Sequence, residues 1–314
     1  MDPISHGLVG LAAGSFSGES GVLTNPLALG CLIGSIIPDG DIIMQYWGDY
    51  AYLKNHRGAS HSFAGMTAIS LAVSLLINLI FKGSSFLSVF LWTYIGCLTH
   101  VGFDLLNSYG AKLLWPFSNK KYGSGLLLSF DPFLAVTSII VYWFNSTNRI
   151  YIKFAIGAFA AYLLFRQWRK IQIRDSIVKK LGFTIDRIVL LPSMTGLFSW
   201  DFIVYTKREI VTGRSSMLGK KIIIRDRMQQ SNSWIKEIVM NTDVGRFFSE
   251  FTKEYHISLD KLENGTIKAT LTDLRYFVKN RYIHHATIYF DRNFNPVECL
   301  FQPYNIKRSS KLSA

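Results

Sequence analysis

The sequence predicts an α-helical integral membrane domain of about four spans, with interfacial or re-entrant helices beside them, followed by a small β-rich α+β soluble domain. Three observations predict it. Phe63 to Phe81 is an uncharged run of about 19 residues, long enough to cross a bilayer. Charge is divided unevenly: residues 1–165 carry 8 Lys and Arg against 7 Asp and Glu, whereas residues 166–314 carry 26 against 14, so the net +13 lies almost wholly in the second half. After residue 185 the long apolar runs give way to short β-branched and aromatic stretches.

The elements follow in order. Gly7–Ala13 and Leu27–Ile37 are apolar but too short to cross, and read as interfacial, re-entrant or buried helices. Phe63–Phe81 is the first span. Phe86–Phe103 is the second, interrupted by polar Thr93, Thr99 and His100. Pro132–Phe144 and Ile150–Phe165 are shorter and need their flanks to span; both end in aromatic residues, as at a membrane interface. Residues 166–185 form a basic, helix-like connector. From 186 to 314 the chain reads as a soluble domain, with strands over Ile188–Leu191, Phe202–Tyr205, Ile222–Ile224 and Ala286–Phe290. Thr212-Gly213 and Asn264-Gly265 are turn signals, and Asp243–Tyr255 reads as an amphipathic helix capped by Thr242.

Basic residues set the expected orientation. Arg166, Arg169, Lys170, Arg174, Lys179 and Lys180 follow the last span and mark that side as cytoplasmic. Counting back over four spans puts Lys112, Lys120 and Lys121, and then Lys54 and Arg57, on the same side. The outer loops hold only Lys82 and Arg149. Cys31, Cys97 and Cys299 are scattered and form no CxxC, so no disulfide framework is expected. The start Met1-Asp2-Pro3 lacks a basic region, and no cleaved signal peptide is expected.

Four of the seven histidines lie in the first 100 residues, at the edges of apolar runs and beside charged groups. Ionisable groups in such places are costly and tend to be functional. His100 and Asp104 are four apart, on one helix face, with Asn107 continuing it. His56 and His61 are five apart; an unbroken helix would splay them by about 140°, and Gly58 allows a bend that brings both to one centre. Arg57 between them is suited to an anionic substrate. Asp39 and Asp41 flank Gly40 after Pro38, so that both bind a metal or one binds while the other takes a proton. His6 lies four after Asp2. Imidazole with carboxylate is a ligand set for Zn²⁺ and similar ions. Antiparallel spans place His61 and His100 at the same membrane face, where His6, Asp39, Asp41 and His56 also lie. His256, His284 and His285 have no such company and read as structural or surface residues. Trp115-Pro116-Phe117 reads as a cover for the site or an interfacial anchor.

These ordered blocks resemble the YdjM-like family of membrane-bound metal-dependent hydrolases. The resemblance rests on His6 before a glycine-rich apolar stretch, Gly34-Ser-Ile-Ile-Pro38-Asp39-Gly40-Asp41, His56-Arg57-Gly58-Ala-Ser-His61-Ser62, His100-Val-Gly-Phe-Asp104-Leu-Leu-Asn107-Ser-Tyr-Gly110, and Trp115-Pro116-Phe117. It covers about residues 1–165, and the basic second half fits the longer Gram-positive members. A looser similarity links the family to zinc-dependent phospholipases C. The resemblance implies His6, Asp39, His56, His61, His100 and Asp104 as metal ligands, with Asp41 as a further ligand or base. Asp2, Ser62 and Asn107 stand behind them. The chain lacks the additional His-xxx-Glu block of those phospholipases, which argues for one or two ions rather than three.

The resulting expectation is a multi-pass hydrolase of the bacterial inner or plasma membrane with its C-terminal domain in the cytoplasm. One or two Zn²⁺ ions, or Mn²⁺ in their place, would activate water at the cytoplasmic face. Asp41 would move the proton, Arg57 would steady developing charge, and the substrate would be a phosphoester, lipid-borne in the most natural case. The other reading is a non-enzymatic anchor or sensor whose basic domain contacts protein, anionic lipid or DNA, nucleic acid being the weaker partner. Metal transport is weaker still, because the ligands gather at one face rather than at the midplane.

Overall fold

The computed structural model describes residues 2–18, 21–145, 149–182, 184–194, 196, 198–216, 218–219, 221–263, 265–304 and 309–312. They form two compact units. One comprises Met1–Ile43 and Asn55–Trp168, the other Met44–Lys54 and Arg169–Ala314.

The first unit is helical. Its helices are α1 (Pro3–Gly14), α2 (Pro26–Ile36), the end of α3 (Asp49–Asn55), α4 (Phe63–Ile80), α5 (Phe86–Leu105), α6 (Pro132–Phe144) and the first part of α7 (Arg149–Leu181). The starts of α1, α2 and α6 share one local rule. Asp2, Asn25 and Asp131 each accept two backbone N–H groups of the first turn, and each is followed by a proline whose fixed φ suits the first helical position. Ser62 and Ser85 cap α4 and α5.

Four helical stretches are long and apolar enough to cross a membrane: Pro26–Trp47, Phe63–Ile80, Phe86–Leu105 and Ile150–Leu181. The number matches the sequence expectation, but the set differs. Leu27–Ile37 does not stop, because α2 runs on into a 3₁₀ stretch over Ile37–Trp47 and doubles its length, whereas Pro132–Phe144 remains a shorter apolar helix. Leu79, Leu87, Trp143, Phe154 and Leu164 are all largely exposed on these helices. An apolar exterior of this kind is what hydrocarbon, not water, accepts.

Helix packing fixes where the ends fall. Gly34 and Gly96 let α2 and α5 touch backbone to backbone: a Cβ at Gly34 would stand 2.1 Å from the Thr93 carbonyl, and one at Gly96 would stand 2.1 Å from the Cys31 carbonyl. Small residues at such seams are how helices associate without a hydrophobic driving force. The pairings 30 with 89, 34 with 93 and 35 with 96 run α2 parallel to α5, and those of Gly7 with Ile36 and Gly14 with Ala28 run α1 antiparallel to α2. Replacing Gly96 by Ala is expected to cost about 1–3 kcal/mol, because backbone rather than a flexible side chain must move. Thermal unfolding in detergent would register this as a lower Tm, and an unchanged Tm would mean that the seam is looser than described.

The second unit is β-rich. It contains a four-stranded antiparallel sheet in the order β1 (Arg187–Pro192), β2 (Ser199–Tyr205), β3 (Glu209–Ser216), β4 (Ile222–Gln229). Helices α8 (Ser233–Met240) and α9 (Asp243–Phe251) follow. Then come β5 (Tyr255–Lys261), β6 (Ile267–Asp273), the short hairpin β7 (Phe277–Val278) with β8 (Arg281–Tyr282), β9 (His285–Phe290), β10 (Pro296–Gln302) and β11 (Ser310–Leu312). The main sheet is antiparallel, ordered β11-β10-β9-β6-β5. Phe247, Phe248 and Phe251 of α9 pack on its Ile257, Leu271, Ile288 and Phe301. Tyr50 and Leu53 of α3 join the same core, so a segment from the first sixth of the chain completes the last domain.

The predicted helix over Asp243–Tyr255 is shorter than expected. Thr242 does cap it, but Phe251 ends it and Tyr255 already begins β5. Thr212-Gly213 is not a turn: it lies within β3 at a bulge against β4, where a Cβ on Gly213 would stand 2.4 Å from the Phe202 ring. In the Asn264-Gly265 signal, Asn264 lies outside the described residues, while Gly265 has φ of +83°. His256 and His285 bond strand and turn carbonyls, and His284 is buried against Phe251 and Tyr276. Burial pushes the His284 imidazole down to about 4.

Candidate metal centre

The directions of the helices bring four ends together. The parallel pair α2 and α5 puts Asp39, just beyond α2, level with His100 and Asp104 in the last turns of α5. Antiparallel α1 adds His6 from its first turn. The short link Phe81–Ser85 makes α4 return beside α5, so His61, just before α4, lies at the same end.

There the Nε2 atoms of His61 and His100 face each other at 3.1 Å. Asp39 Oδ1 lies 3.4 Å from His61 Nε2 and 3.5 Å from His100 Nε2, and Asp104 Oδ2 lies 3.3 Å and 3.8 Å from the same two nitrogens. One ligand atom from each of the four residues falls within 4.8 Å of every other. Ligands about 2.0–2.1 Å from a tetrahedral Zn²⁺ would stand about 3.3 Å apart, close to these spacings. His61, His100 and Asp104 are fully buried.

Hydrogen bonding fixes which lone pairs point inward. His100 Nδ1 has the Ser35 carbonyl at 2.7 Å, and a carbonyl can only accept, so Nδ1 carries the proton and Nε2 offers its lone pair. Ser60 donates to Asp41 and therefore accepts from His61 Nδ1 at 2.9 Å, which leaves His61 Nε2 in the same condition. Two lone pairs and two carboxylate oxygens thus converge on one point, and the arrangement is stable only with positive charge between them. Burial opposes charge on His61, but the carboxylates of Asp104 and Asp39 outweigh it and hold the imidazole above its ordinary pKa. The residues fit a divalent cation on this ground.

A second group adjoins the first through Asp39. Asp39, Asp41 and His56 also bring ligand atoms within 4.8 Å of one another. His56 Nδ1 meets Asp41 Oδ1 at 2.9 Å, and burial lowers the His56 pKa despite that carboxylate. His61 and His56 therefore share Asp41 rather than one centre, their rings 6.2 Å apart. The bend between them is not at Gly58 alone. Arg57 takes the left-handed conformation (φ +58°), and Gly58 follows at φ −96°, ψ −115°, where a Cβ would strike the Asn55 carbonyl. Left-handed backbone at a non-glycine residue costs on the order of 1–2 kcal/mol. Here it turns the Arg57 N–H onto Asp41 Oδ2 at 3.0 Å while its guanidinium reaches Asp104 Oδ1 at 3.1 Å. Arg57 Nε and Nη1 are buried with no hydrogen-bond partner among the described residues.

The remaining predicted residues take other places. His6 Nε2 meets Asp104 Oδ1 at 3.4 Å, and its ring stacks on His100 with centroids 3.7 Å apart, so it backs the four ligands rather than joining their group. Burial pushes its imidazole down to about 4, keeping it neutral. Asp2 and Ser62 cap α1 and α4. Asn107 bonds within its own loop, to Ser129 and Tyr109. Three contributors were not singled out from sequence: Ser60, the Ser35 carbonyl and Tyr109, whose ring lies under the Arg57 guanidinium. Ser60 and Tyr109 carried a signal, their places inside the His56–Ser62 and His100–Gly110 blocks. Phe117 is almost fully exposed and Trp115 partly so.

Residues 1–173 match the family model described as YdjM inner membrane protein. Residues 235–311 match that described as the YfhP C-terminal alpha/beta plait domain. The uncharacterized protein YfhP of Bacillus subtilis (strain 168) is 26% identical over 301 residues, a stretch covering 92% of this chain and 91% of that protein. No solved structure matches.

Proposed function

Since the chain belongs to the YdjM inner membrane protein family, whose model spans its whole helical half, we propose that it is a membrane-embedded, metal-dependent hydrolase of phosphoesters, lipid-borne ones above all. The observation that carries this reading is the convergence of the His61 and His100 lone pairs with Asp39 and Asp104 beside an incompletely engaged, buried arginine. Asp39, His61, His100 and Asp104 would hold a divalent ion, Zn²⁺ first and Mn²⁺ as the alternative, which would supply Lewis acidity and a lowered pKa for water. Asp39, Asp41 and His56 would hold a second ion or, without one, serve as the proton path.

The chain's own residues do the rest. Arg57 presents Nε and Nη1 to a phosphoryl oxygen while Asp104 and Tyr109 fix its orientation. Asp41 accepts a proton at its carboxylate and passes it to His56 Nδ1, whose side chain is 19% exposed and opens the path to water. Ile36, Ile37, Ile42 and Ile43 are exposed on the segment that carries the two aspartates, an apolar approach suited to acyl chains. The basic residues following the apolar part of α7 support a cytoplasmic position for this face under the positive-inside rule.

The test is an assay of detergent-purified protein, loaded with Zn²⁺ or Mn²⁺, against lipid and water-soluble phosphodiesters and phosphomonoesters. Hydrolysis is expected only with the ion. Arg57→Gln is expected to lower kcat by about 10²–10³-fold with metal content unchanged. A metal-replete protein that cleaves none of these would end the hydrolase reading in favour of a sensor or anchor.

A further inference from the structure

The loop between α5 and α6, which contains Trp115-Pro116-Phe117, carries an arrangement that the metal centre does not use. The loop is pinned at its base. Ala111 and Tyr122 exchange backbone hydrogen bonds at 2.9 and 3.0 Å, so residues 112–121 form a closed excursion. Its first residues are tied to the helical unit. The Lys112 N–H donates to the Arg57 carbonyl at 3.0 Å, and the N–H of Phe63, the first residue of α4, donates to the Leu113 carbonyl at 3.1 Å. The Leu113 side chain packs on the cluster of Met66, Cys97, Val101 and Ala111, which joins the first turn of α4 to the last turns of α5.

Beyond Leu113 the apolar side chains face outward. Leu114 is 44% exposed, Trp115 partly so and Phe117 95%. A cover over the four metal ligands would bury Phe117, and Phe117 is not buried. Their depth follows from α4. That helix has 18 residues, about 27 Å at 1.5 Å per residue, no longer than the hydrocarbon core of about 30 Å. Its first residue therefore cannot stand clear of the headgroup layer. At no more than about 3.6 Å per residue, the chain carries Trp115 at most about 7 Å from Leu113, roughly the depth of one headgroup layer. Phe63 is itself 47% exposed at the mouth of the span. The apolar side chains of the loop thus begin where the lipid-facing surface of α4 ends.

Charge agrees with this position. Residues 105–130 hold Lys112, Lys120 and Lys121 and no Asp or Glu. Lys112 Nζ donates to Asn119 Oδ1 at 3.4 Å, and Lys120 Nζ lies 5.2 Å from the centre of the Tyr122 ring, so neither contact neutralises an ammonium group. Aromatic rings flanked by lysines at headgroup depth are the chemistry of an anchor on an anionic leaflet. We propose that Leu114, Trp115 and Phe117 enter the headgroup layer of the leaflet at the metal-centre end of the bundle, and that Lys112, Lys120 and Lys121 take the phosphates of anionic lipids there. Through the Lys112–Arg57 bond, the loop then fastens the rim of the metal centre to that leaflet.

The experiment uses the full chain in nanodiscs of phosphatidylcholine and phosphatidylglycerol. A small fluorophore is attached to Phe117→Cys and, in a second protein, to Leu71→Cys, an exposed position of α4 about two turns into the span. The native cysteines are buried. Lipid brominated near the carbonyl end of its acyl chains reports contact. With all lipid brominated, the label at 117 is expected to be quenched about half as strongly as that at 71, or more. Brominating only the phosphatidylglycerol should quench 117 about twofold more than brominating an equal amount of phosphatidylcholine. Lys120→Gln with Lys121→Gln should remove that preference. Quenching at 117 weaker than half that at 71 would overturn the proposal. Access to a water-soluble quencher would then put the loop in water, and protection from it would make the loop a lid on the protein. Equal quenching by the two brominated lipids would overturn the role given to the lysines. None of these readings depends on hydrolase activity or on a bound ion.

Discussion

Replacing His61 and His100 together with alanine is expected to remove the divalent ion of the four-residue group. The two Nε2 atoms are 3.1 Å apart and supply both nitrogen ligands of the four-residue group. Even loss of a group behind a ligand lowers metal affinity about 10–100-fold, so loss of two ligands leaves two carboxylates that a dilute ion does not occupy. Elemental mass spectrometry of the purified protein checks this: the wild type is expected to hold one zinc or manganese per chain more than the double variant, in which the Asp39–Asp41–His56 group is untouched. The wild type should also gain thermal stability on adding the ion, because binding to the folded state alone stabilises it in proportion to the logarithm of ion concentration, and the variant should not. Equal metal content in the two proteins would place the ion elsewhere.

Asp104→Ala is expected to be the most destabilising single change at the site. The carboxylate is fully buried and meets His6, His61 and the Arg57 guanidinium. Truncating it leaves the Arg57 charge buried at 4% exposure without the Asp104 carboxylate. Breaking a buried pair in this way costs about 3–5 kcal/mol, more than the pair itself contributes, because the remaining charge is uncompensated. The comparison belongs in metal-free protein, where loss of the ion adds nothing to the difference. There Asp104→Ala should melt well below the wild type and Asp104→Asn in between, since the amide keeps one acceptor. A metal-free Asp104→Ala protein as stable as the wild type would show that Arg57 reaches water.

Much of this was legible in the sequence, for identifiable reasons. The spans announce themselves because hydrocarbon excludes charge, and α4 and α5 fall within a few residues of the uncharged runs. The His and Asp blocks stand out because such groups are rare beside apolar segments. What the sequence concealed lies in backbone geometry. The 3₁₀ continuation of α2 through Pro38, Gly40 and two aspartates looks like a turn in a string of letters. The left-handed Arg57 is invisible because the glycine beside it draws the eye. Asp2 and Ser62, placed near the site by proximity in sequence, are instead needed by the helix ends they cap. The Ser35 carbonyl that sets the His100 tautomer belongs to the main chain, and no residue type marks it. Thr212-Gly213 has the composition of a turn, but Gly213 is glycine because Phe202 and the β4 backbone crowd it.

The short helix α3 also bears on time. The chain runs from Asp41 through Tyr50 and Leu53 and back to His56, and the partners that cover Tyr50 and Leu53 are Phe247, Phe301 and their neighbours. A ribosome adding about 5–20 residues per second needs on the order of 10–50 s to pass from Leu53 to Phe301. Throughout that interval the helical half can be inserted while the two flanks of α3, which carry Asp41 and His56, are joined by a segment with nothing to fold against. The segment that joins Asp41 to His56 thus reaches its final packing only after the last strands of the plait have emerged.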